Sequence, residues 1–449
     1  MRSMGYDILE LCESAVKMAE RLGATEAEAI ARQGRQIGVE VERSAIKSSS
    51  GGEALQLSVR AYIGKMMGLA FTTTGEAEEV KRLVERAISL AKSSPPDPNF
   101  ESLPMPGQYT KVEGLYDVEL ENLEPPKLID MILEGISTAR SDQGIDVFGG
   151  AGLSVEEEAI ANSLGIRVRE KATGIFGELA SKIVEGEDLG IGSDYFAVRH
   201  LSGADFRKIG SEATRKARRN LGSKKLDSGD YSIVLDQRTT GRTLSSIIGF
   251  GADAYTVMLG TSYFKDKLNQ SIGAELIALT DNPLYPAGIA SGICDAEGTP
   301  REKTSIVEKG ILKAFFSDSY TANKLKIRNT GHALRPDLRS KPHPGLTNTQ
   351  IGPGDAGLEE LIRETRKGIY IYDSGIGPMA GTTNVSSMVD YGFLIENGEI
   401  KHSVKNTMLG TTVFDFLKNV DLVSKELLDE SGQISPSIRV HSIKVASGL

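Results

Sequence analysis

Side chains able to perform chemistry are few in this sequence of 449 residues, and they lie far apart. The histidines are His200, His332, His343, His402 and His441. None form the H-E-x-x-H spacing of a zinc-binding helix, and no C-x-x-C, G-x-S-x-G or G-x-x-x-x-G-K-[ST] run occurs. A zinc site at His332 and His343 would need a distant further ligand such as Cys294. The alternative for loop histidines is a surface or hydrogen-bonding role.

The segment GICDAEGTP (292–300) offers two further candidates. Cys294 could act as a nucleophile, but no sequence-adjacent cation would lower the pKa of its thiol, so a small buried thiol is the alternative. Asp295 and Glu297 could form an acid/base pair. Their position beside a glycine and a proline favours a turn instead.

One basic run, residues 206–225, carries eight Lys and Arg residues and a single acid, Glu212. A helix of this kind could contact phosphates. The whole chain is acidic, however, with 52 basic and 61 acidic residues and a net charge of −9. We therefore favour a solvated helix face or a partner contact for this run, and expect no nucleic-acid ligand.

A polar cluster in the second half is richer in donors and acceptors. It lies within RNTGHALRPDLRSKPHPGLTNTQIGPGD (328–355) and GTTNVSSMVDYGF (381–393). Such glycine-rich polar loops suit the binding of an extended peptide along a strand edge, or they only satisfy their own turns. The candidate substrate-binding residues are Thr330, His332, Arg335, Asn348, Thr349 and Asn384.

The elements that must position these residues are mixed in type. Apolar residues recur at helical spacing in 8–22, 76–92, 126–140 and 204–221, and we predict one long helix over about 239–259. Asp355 is predicted to cap a helix at 357–367. Asn397-Gly398 and, more weakly, Lys309-Gly310 predict hairpins between alternating apolar residues.

Helices standing between groups of hairpins predict an α+β protein of two domains, each with a mixed or antiparallel sheet and flanking helices. We place the domains at residues 1–229 and 230–449, with an irregular proline-rich segment at 93–125. GVEVERSAI (38–46) and GLSVEEEAI (152–160) raise the question of an internal duplication.

Composition indicates the compartment. No run of 18 apolar residues occurs, the N-terminus has no apolar signal core, and two cysteines cannot build a disulfide framework. We therefore expect a cytoplasmic protein.

Several segments of the second half together resemble the TldD/PmbA family, the modulators of DNA gyrase. They are residues 294–325, NTGHALRP (329–336), PGLTNTQI (344–351), GDAGLEELI (354–362), KGIYIYDSGIG (367–377) and 393–420. The opening helix and ANSLG (161–165) extend the resemblance to nearly the whole chain. The resemblance implies a zinc peptidase branch with H-E-x-x-x-H and a C-terminal Cys ligand, and a TldE/PmbA branch that lacks these ligands.

The aligned positions of this chain carry none of those ligands. Ser245 and Ser246 stand where the first His and the Glu would be, Phe250 where the second His would be, and Leu428 at the Cys position. The resemblance therefore implies a subunit without catalytic residues or bound metal of its own. It would pair with a zinc-bearing TldD-type metallopeptidase, or with itself in isolation, and help to degrade or process unfolded peptides.

Two other functions stay open. The chain could be a non-proteolytic binding protein that modulates gyrase or another partner, as the family's name suggests. It could also be a stand-alone hydrolase with another nucleophile, such as Cys294.

Overall fold

A computed structural model describes residues 5–140, 144–379 and 381–447. The first large sheet has six strands in the order β3-β2-β1-β4-β5-β6, and every neighbouring pair is antiparallel. Its strands are β1 (Glu26–Glu42), β2 (Ala45–Ile63), β3 (Met66–Thr72), β4 (Ile145–Asn162), β5 (Arg167–Glu185) and β6 (Asp188–Val198).

Helices cover one face of this sheet. They are α1 (Ile8–Arg21), α2 (Ala77–Ser93), α3 (Val118–Glu121), α4 (Pro125–Ala139) and α5 (Phe206–Arg219). In α1, Ile8, Cys12 and Ala15 are buried at helical spacing, and Asp7 caps the first turn by accepting from two backbone N–H groups. The helices α1 and α2 share one hydrophobic core with the sheet, and α3, α4 and α5 share a second one.

The order helix, three strands, helix therefore occurs twice in the first half. The nine-residue match does not lie at equivalent places in the two units. Arg43 and Ser44 form the turn between β1 and β2, whereas Glu157 and Glu158 lie inside β4. The proline-rich segment 93–125 is irregular except for α3 and for Pro125, which begins α4.

The second large sheet is mixed. Its main path runs β10-β9-β8-β13-β20-β7-β14-β16-β17, and β15, β18 and β19 branch from it. The strands are β7 (Gly229–Leu235), β8 (Leu279–Asp281), β9 (Thr304–Glu308), β10 (Ile311–Leu312), β13 (Thr349–Ile351), β14 (Lys367–Ile371), β15 (Asn384–Met388), β16 (Gly392–Glu396), β17 (Glu399–Ser403), β18 (Thr407–Thr412), β19 (Val420–Glu430) and β20 (Gln433–Ser447). A separate pair is formed by β11 (Ala333–Leu334) and β12 (His343–Pro344).

Five helices pack against this sheet or lie in its loops: α6 (Gln237–Ala252), α7 (Ala254–Leu259), α8 (Ser319–Leu325), α9 (Leu358–Arg363) and α10 (Val413–Lys418). The α+β class is confirmed. The predicted domain boundary near residue 229 stays a prediction, although the first sheet ends at Val198 and the second begins at Gly229. Within the described ranges, no helix combines the length and the apolar character needed to cross a membrane.

Both predicted hairpins are present, closed by the pairs Glu396↔Glu399 and Glu308↔Ile311. Two helix predictions were wrong. The long helix over 239–259 breaks at Asp253, whose Oδ1 accepts from Tyr255 N at 2.7 Å and so begins a second helix. The helix predicted at 357–367 spans only Leu358–Arg363, and its cap is Gly357 rather than Asp355.

Candidate functional site

Helix α6 carries three of the four positions aligned with a zinc site. It follows β7 directly, and Asp236 caps it by accepting from Thr239 N at 2.8 Å. Leu244, Ile247 and Ile248 face the core, which turns Ser246 to solvent and leaves Ser245 and Phe250 half-buried. The three positions thus lie on the accessible side of the helix.

The partners of these side chains are neutral. Ser245 Oγ lies 2.7 Å from Thr349 Oγ1, a hydroxyl–hydroxyl hydrogen bond. The ring of Phe250 packs against that of Tyr263 with centroids 5.5 Å apart. Tyr263 in turn donates its hydroxyl to the carbonyl oxygen of Ile247, and burial raises its pKa. An apolar aromatic contact therefore occupies the place of the second expected histidine.

The fourth position, Leu428, lies half-buried on β19 opposite Ser435 of β20. Ser435 Oγ donates to the carbonyl oxygen of Gln237 at 2.6 Å, so this hairpin packs on the first turn of α6. The structure thus brings the hairpin of Leu428 to the helix that carries Ser245.

These four side chains do not fit a zinc ion. Zinc in proteins takes thiolate, imidazole or carboxylate ligands, and two serine hydroxyls, a phenyl ring and an isobutyl group supply none of them. In the parts of the chain that the structure describes, no group of three or more His, Cys, Asp and Glu side chains is arranged to hold a metal ion.

An ion-pair cluster at the first turns of α6 was missed by sequence reasoning. Arg238 Nη1 lies 2.6 Å from Asp194 Oδ1, and its Nη2 lies 2.5 Å from Glu430 Oε1. Arg242 Nη1 lies 2.7 Å from Asp373 Oδ1. The two arginines are four residues apart, so they share one face of α6, and that spacing was the available signal.

Lys216 of the basic helix joins the same cluster. Its Nζ lies 3.0 Å from Asp194 Oδ1 and 2.9 Å from Asp373 Oδ2. The expectation of a solvated helix face was therefore wrong at Lys216, which is buried, and the alternative of a partner contact stays a prediction. Burial alone would raise the pKa of Asp373, but Lys216, Arg242 and Arg238 together hold it below its ordinary value. The cluster ties α5 and β6 to α6 and to the segment that follows β14.

The predicted substrate-binding residues are not gathered at one surface. Thr330, His332, Arg335, Asn348 and Thr349 are buried, and Asn384 is exposed on β15. His332 Nδ1 lies 2.8 Å from the carbonyl oxygen of Thr330, and its Nε2 lies 3.1 Å from Asp281 Oδ2. Both ring nitrogens thus face oxygen acceptors of the chain itself.

Asn348 and Thr330 also form hydrogen bonds with other loops of the chain. Asn348 Nδ2 donates to the carbonyl oxygen of Asn282 at 2.9 Å and to Ser291 Oγ at 2.8 Å. Thr330 Oγ1 accepts from Ser317 N at 2.7 Å. Of the six candidates, Thr349 contacts α6, by its hydrogen bond with Ser245. The peptide-binding role of the six residues stays a prediction.

Arg335 belongs to a second buried cluster between the two halves. Its Nη1 lies 3.3 Å from Glu28 Oε1, and its Nη2 donates to Ser58 Oγ at 2.7 Å. Arg60 Nη2 bridges Glu28 Oε2 at 2.7 Å and Glu297 Oε1 at 2.9 Å. Burial lowers the pKa of Arg335 to about 10. These contacts join β1 and β2 to loops of the second half.

In segment 292–300, the hydrogen bonds of Asp295 are those of a turn residue. Asp295 Oδ1 accepts from Glu297 N and Thr299 N, both at 2.9 Å, and its Oδ2 accepts from Ala333 N at 3.1 Å. Burial, with the adjacent Glu297 charge, raises the pKa of Asp295 to about 7. Burial and nearby carboxylates also raise the pKa of the Cys294 thiol, which disfavours the reactive thiolate.

Comparison with known proteins covers most of the chain. Residues 27–91 match domain 1 of the PmbA/TldA metallopeptidases, residues 119–221 their central domain, and residues 228–447 their C-terminal domain. A protein from Methanocaldococcus jannaschii named a metalloprotease is 27% identical over 404 residues, which are 85% of this chain and 85% of that relative.

Two solved structures share the fold. TldE from Thermococcus kodakarensis superposes with a TM-score of 0.87 at 26% identity, over 97% of this chain and 99% of that one. A protein from Thermotoga maritima, named a modulator of a DNA gyrase, gives a TM-score of 0.87 at 23% identity over 98% and 100% of the two chains.

Proposed function

The chain belongs to the PmbA/TldA metallopeptidase family, and we propose that it is a metal-free subunit of the TldE/PmbA type. In this proposal it pairs with a zinc-bearing, TldD-type subunit, and the pair degrades or processes unfolded peptides in the cytoplasm. The chemistry belongs to the partner's zinc, and this chain supplies binding surface.

The observation that carries the proposal is the set of side chains at the zinc positions. Hydrolysis at such a site needs about three ligands, an open position for water and a general base. Ser245, Ser246, Phe250 and Leu428 provide neither ligands nor base, and Ser245 and Phe250 are engaged with Thr349 and Tyr263. Relatives named metalloproteases support a role in proteolysis, and the lack of ligand side chains at the four positions supports the TldE/PmbA branch for this chain.

The surface around α6 supports a peptide-contacting role. Gly377 lies against Ser246, since a Cβ at position 377 would stand 2.9 Å from Ser246 Oγ. Two residues further on, the Met379 side chain is 51% exposed, and Leu427 on the β19 hairpin is 44% exposed. Exposed flexible apolar groups bind many sequences with little selectivity, as unfolded substrates require. Asn384, whose carbonyl oxygen accepts from Met379 N at 2.8 Å, adds a polar group at this place.

A reconstitution experiment tests the proposal. This chain, a zinc-bearing homologue and their mixture are each incubated with an unstructured peptide, and cleavage is followed by mass spectrometry. We expect cleavage by the mixture, none by this chain alone, and co-elution of the two chains in size-exclusion chromatography. Cleavage by this chain alone, or a mixture no more active than the homologue, would overturn the proposal. Replacement of the homologue's zinc ligands is the control and should abolish cleavage.

A further inference from the structure

A cavity of about 710 Å³ lies between the two halves of the chain, and Ser245, Ser246, Phe250 and Leu428 are not among its lining residues. One wall is formed by Arg60, Tyr62 and the proline-rich segment 94–103. The opposite wall is formed by Tyr255 on α7, by Glu297 and by residues 318–320 at the start of α8. Its volume is that of pockets that bind small molecules, and junctions between domains are a common place for them.

Two of the charged side chains that line the cavity form an ion pair with each other. Arg60 is 4% exposed and Glu297 is 1% exposed, and they form a 2.9 Å ion pair. The second oxygen of Glu297 accepts from Ser319 N at 3.0 Å and Ser319 Oγ at 2.6 Å. Both oxygens of Glu297 are therefore engaged by groups of the chain.

Asp318 is different. It is 3% exposed and borders the cavity, yet no described cation lies within ion-pair distance of it. Its Oδ1 caps α8 by accepting from Thr321 N at 2.8 Å and Thr321 Oγ1 at 2.6 Å. Among the described residues no donor reaches Oδ2. Oδ2 is thus open to the cavity that Asp318 lines, where a cationic donor would form a charge-assisted hydrogen bond with it.

The lysines at the cavity do not fill that role. Lys65 Nζ donates to the carbonyl oxygen of Pro98 at 2.7 Å. Lys341 also lines the cavity, but within the described part of the chain it forms no ion pair with Asp318. Oδ2 of Asp318 is thus left as an acceptor for a group from outside the chain.

Four tyrosine and phenylalanine side chains also line the cavity: Tyr62, Phe100, Tyr255 and Tyr320. Tyr62 and Phe100 stack with ring centroids 3.7 Å apart, and Tyr320 donates its hydroxyl to Asp97 Oδ2 at 2.8 Å. Tyr255 stands 43% exposed at the cavity. Aromatic faces attract cations, and Arg60 and Lys65 are engaged by groups of the chain, so the open Oδ2 of Asp318 favours an organic ammonium group as the ligand.

We propose that this cavity binds the primary ammonium group of a peptide, at its N-terminus or on a lysine side chain, with Asp318 Oδ2 as the acceptor. The choice of a peptide as the ligand rests on the proposed function. The ammonium group donates to Oδ2, and the peptide's first residues lie against Tyr255 and the Tyr62–Phe100 stack.

Calorimetric titration of the isolated full chain tests this with three probes near neutral pH. They are trialanine amide with a free N-terminus, N-acetyl-trialanine amide, and N-acetyl-Ala-Lys-Ala amide. We expect binding of the first probe and none of the second. Binding of the third assigns the site to any primary ammonium group, and its absence assigns it to the N-terminus.

The variant Asp318→Asn keeps an oxygen to cap α8 but loses the charge, and should weaken binding at least tenfold. The matched control Asp205→Asn removes the same charge from the cap of α5, where Asp205 Oδ1 accepts from Lys208 N at 2.9 Å, and should bind as the wild type. Tyr255→Ala, at an exposed position, should weaken binding by a factor of about three.

Equal binding of the acetylated and free trialanine amides, unchanged binding to Asp318→Asn, or no binding of any probe would overturn the proposal. Because the isolated chain is titrated, none of these results depends on a zinc-bearing partner. Failure of the reconstitution experiment would leave a positive titration standing, so the two failures are distinguishable.

Discussion

Arg335 Nη1 lies 3.3 Å from Glu28 Oε1, although 307 residues separate the two along the chain. Both side chains are fully removed from solvent. Glu28 Oε2 also forms an ion pair with Arg60 Nη2, at 2.7 Å. One buried carboxylate thus holds two arginines, one from β2 and one from a loop of the second half. This cluster and the one at α6 fix how the two halves meet.

Removing Arg335 should destabilise the whole chain. Arg335→Ala leaves Glu28 short of one cation in a buried place, and loss of one partner of a buried ion pair costs about 3–5 kcal/mol. The measurement is equilibrium unfolding in urea. The matched control is Arg328→Ala, since Arg328 pairs with Glu302 while its own side chain is 75% exposed. That loss should stay below about 1 kcal/mol. Equal effects of the two variants would contradict the assignment of Arg335 to a structural cluster.

The α6 cluster should make stability sensitive to acid. The pKa of Asp373 lies below 3.8 in the folded chain, so its contribution is present above that pH and is lost as pH falls through the folded value. Asp373→Asn should therefore be less stable than wild type at neutral pH, with the difference shrinking in acid. Unfolding curves at several pH values give the comparison. Asp337→Asn, at an exposed ion pair, is the control and should show little difference at any pH.

The carboxyl of Asp253 should change the pH dependence of stability in the opposite direction to that of Asp373. Burial raises its pKa from 3.8 to about 6, with Asp318 adding to the shift and the bond from Tyr255 N opposing it. A raised folded pKa gives stability that is complete below 3.8 and is lost as pH rises through about 6. Asn still caps α7, so Asp253→Asn should gain stability relative to wild type between pH 4 and 7. If the difference in unfolding free energy between Asp253→Asn and wild type is constant across that range, the pKa of Asp253 is not raised in the folded chain.

Structural features could be predicted from the sequence where the interacting residues lie close together along the chain. The Asn397-Gly398 turn was predicted because its preference is local, and the pair Glu396↔Glu399 confirms it. Lys216 looked like part of a solvated face because its partners Asp194 and Asp373 lie 22 and 157 residues away. The break at Asp253 was missed because the apolar spacing runs on across it, and only the cap bond to Tyr255 N marks it.

The candidate site shows the same limit. Ser245, Ser246, Phe250 and Leu428 could be compared with a motif residue by residue. The structure packs the hairpin that carries Leu428 on the first turn of α6. The burial of His332 and Arg335 could not be foreseen, because their partners Asp281 and Glu28 are supplied by distant strands. Both buried side chains bond to groups of their own chain, and their role in peptide binding stays a prediction.

The residues at the zinc positions should be dispensable for peptide cleavage by the reconstituted pair. Ser245→Ala removes one hydrogen bond to Thr349, which is worth about 1 kcal/mol of stability, and no catalytic group. The rate of cleavage by the pair should stay within about twofold of wild type, since no charge-stabilising contact is lost. A loss of a hundredfold or more would mean that Ser245 acts in the reaction, and the proposal of a non-catalytic subunit would fail.

The zinc content of the purified chain tests the central claim most directly. The protein is exposed to zinc, loosely held metal is removed, and the remainder is measured by inductively coupled plasma mass spectrometry beside a zinc-bearing homologue treated alike. We predict far less than one zinc per chain, against about one per chain for the homologue, because Ser245, Ser246, Phe250 and Leu428 offer no strong ligand. About one tightly held zinc per chain would contradict the account and make this chain a metallopeptidase candidate in its own right.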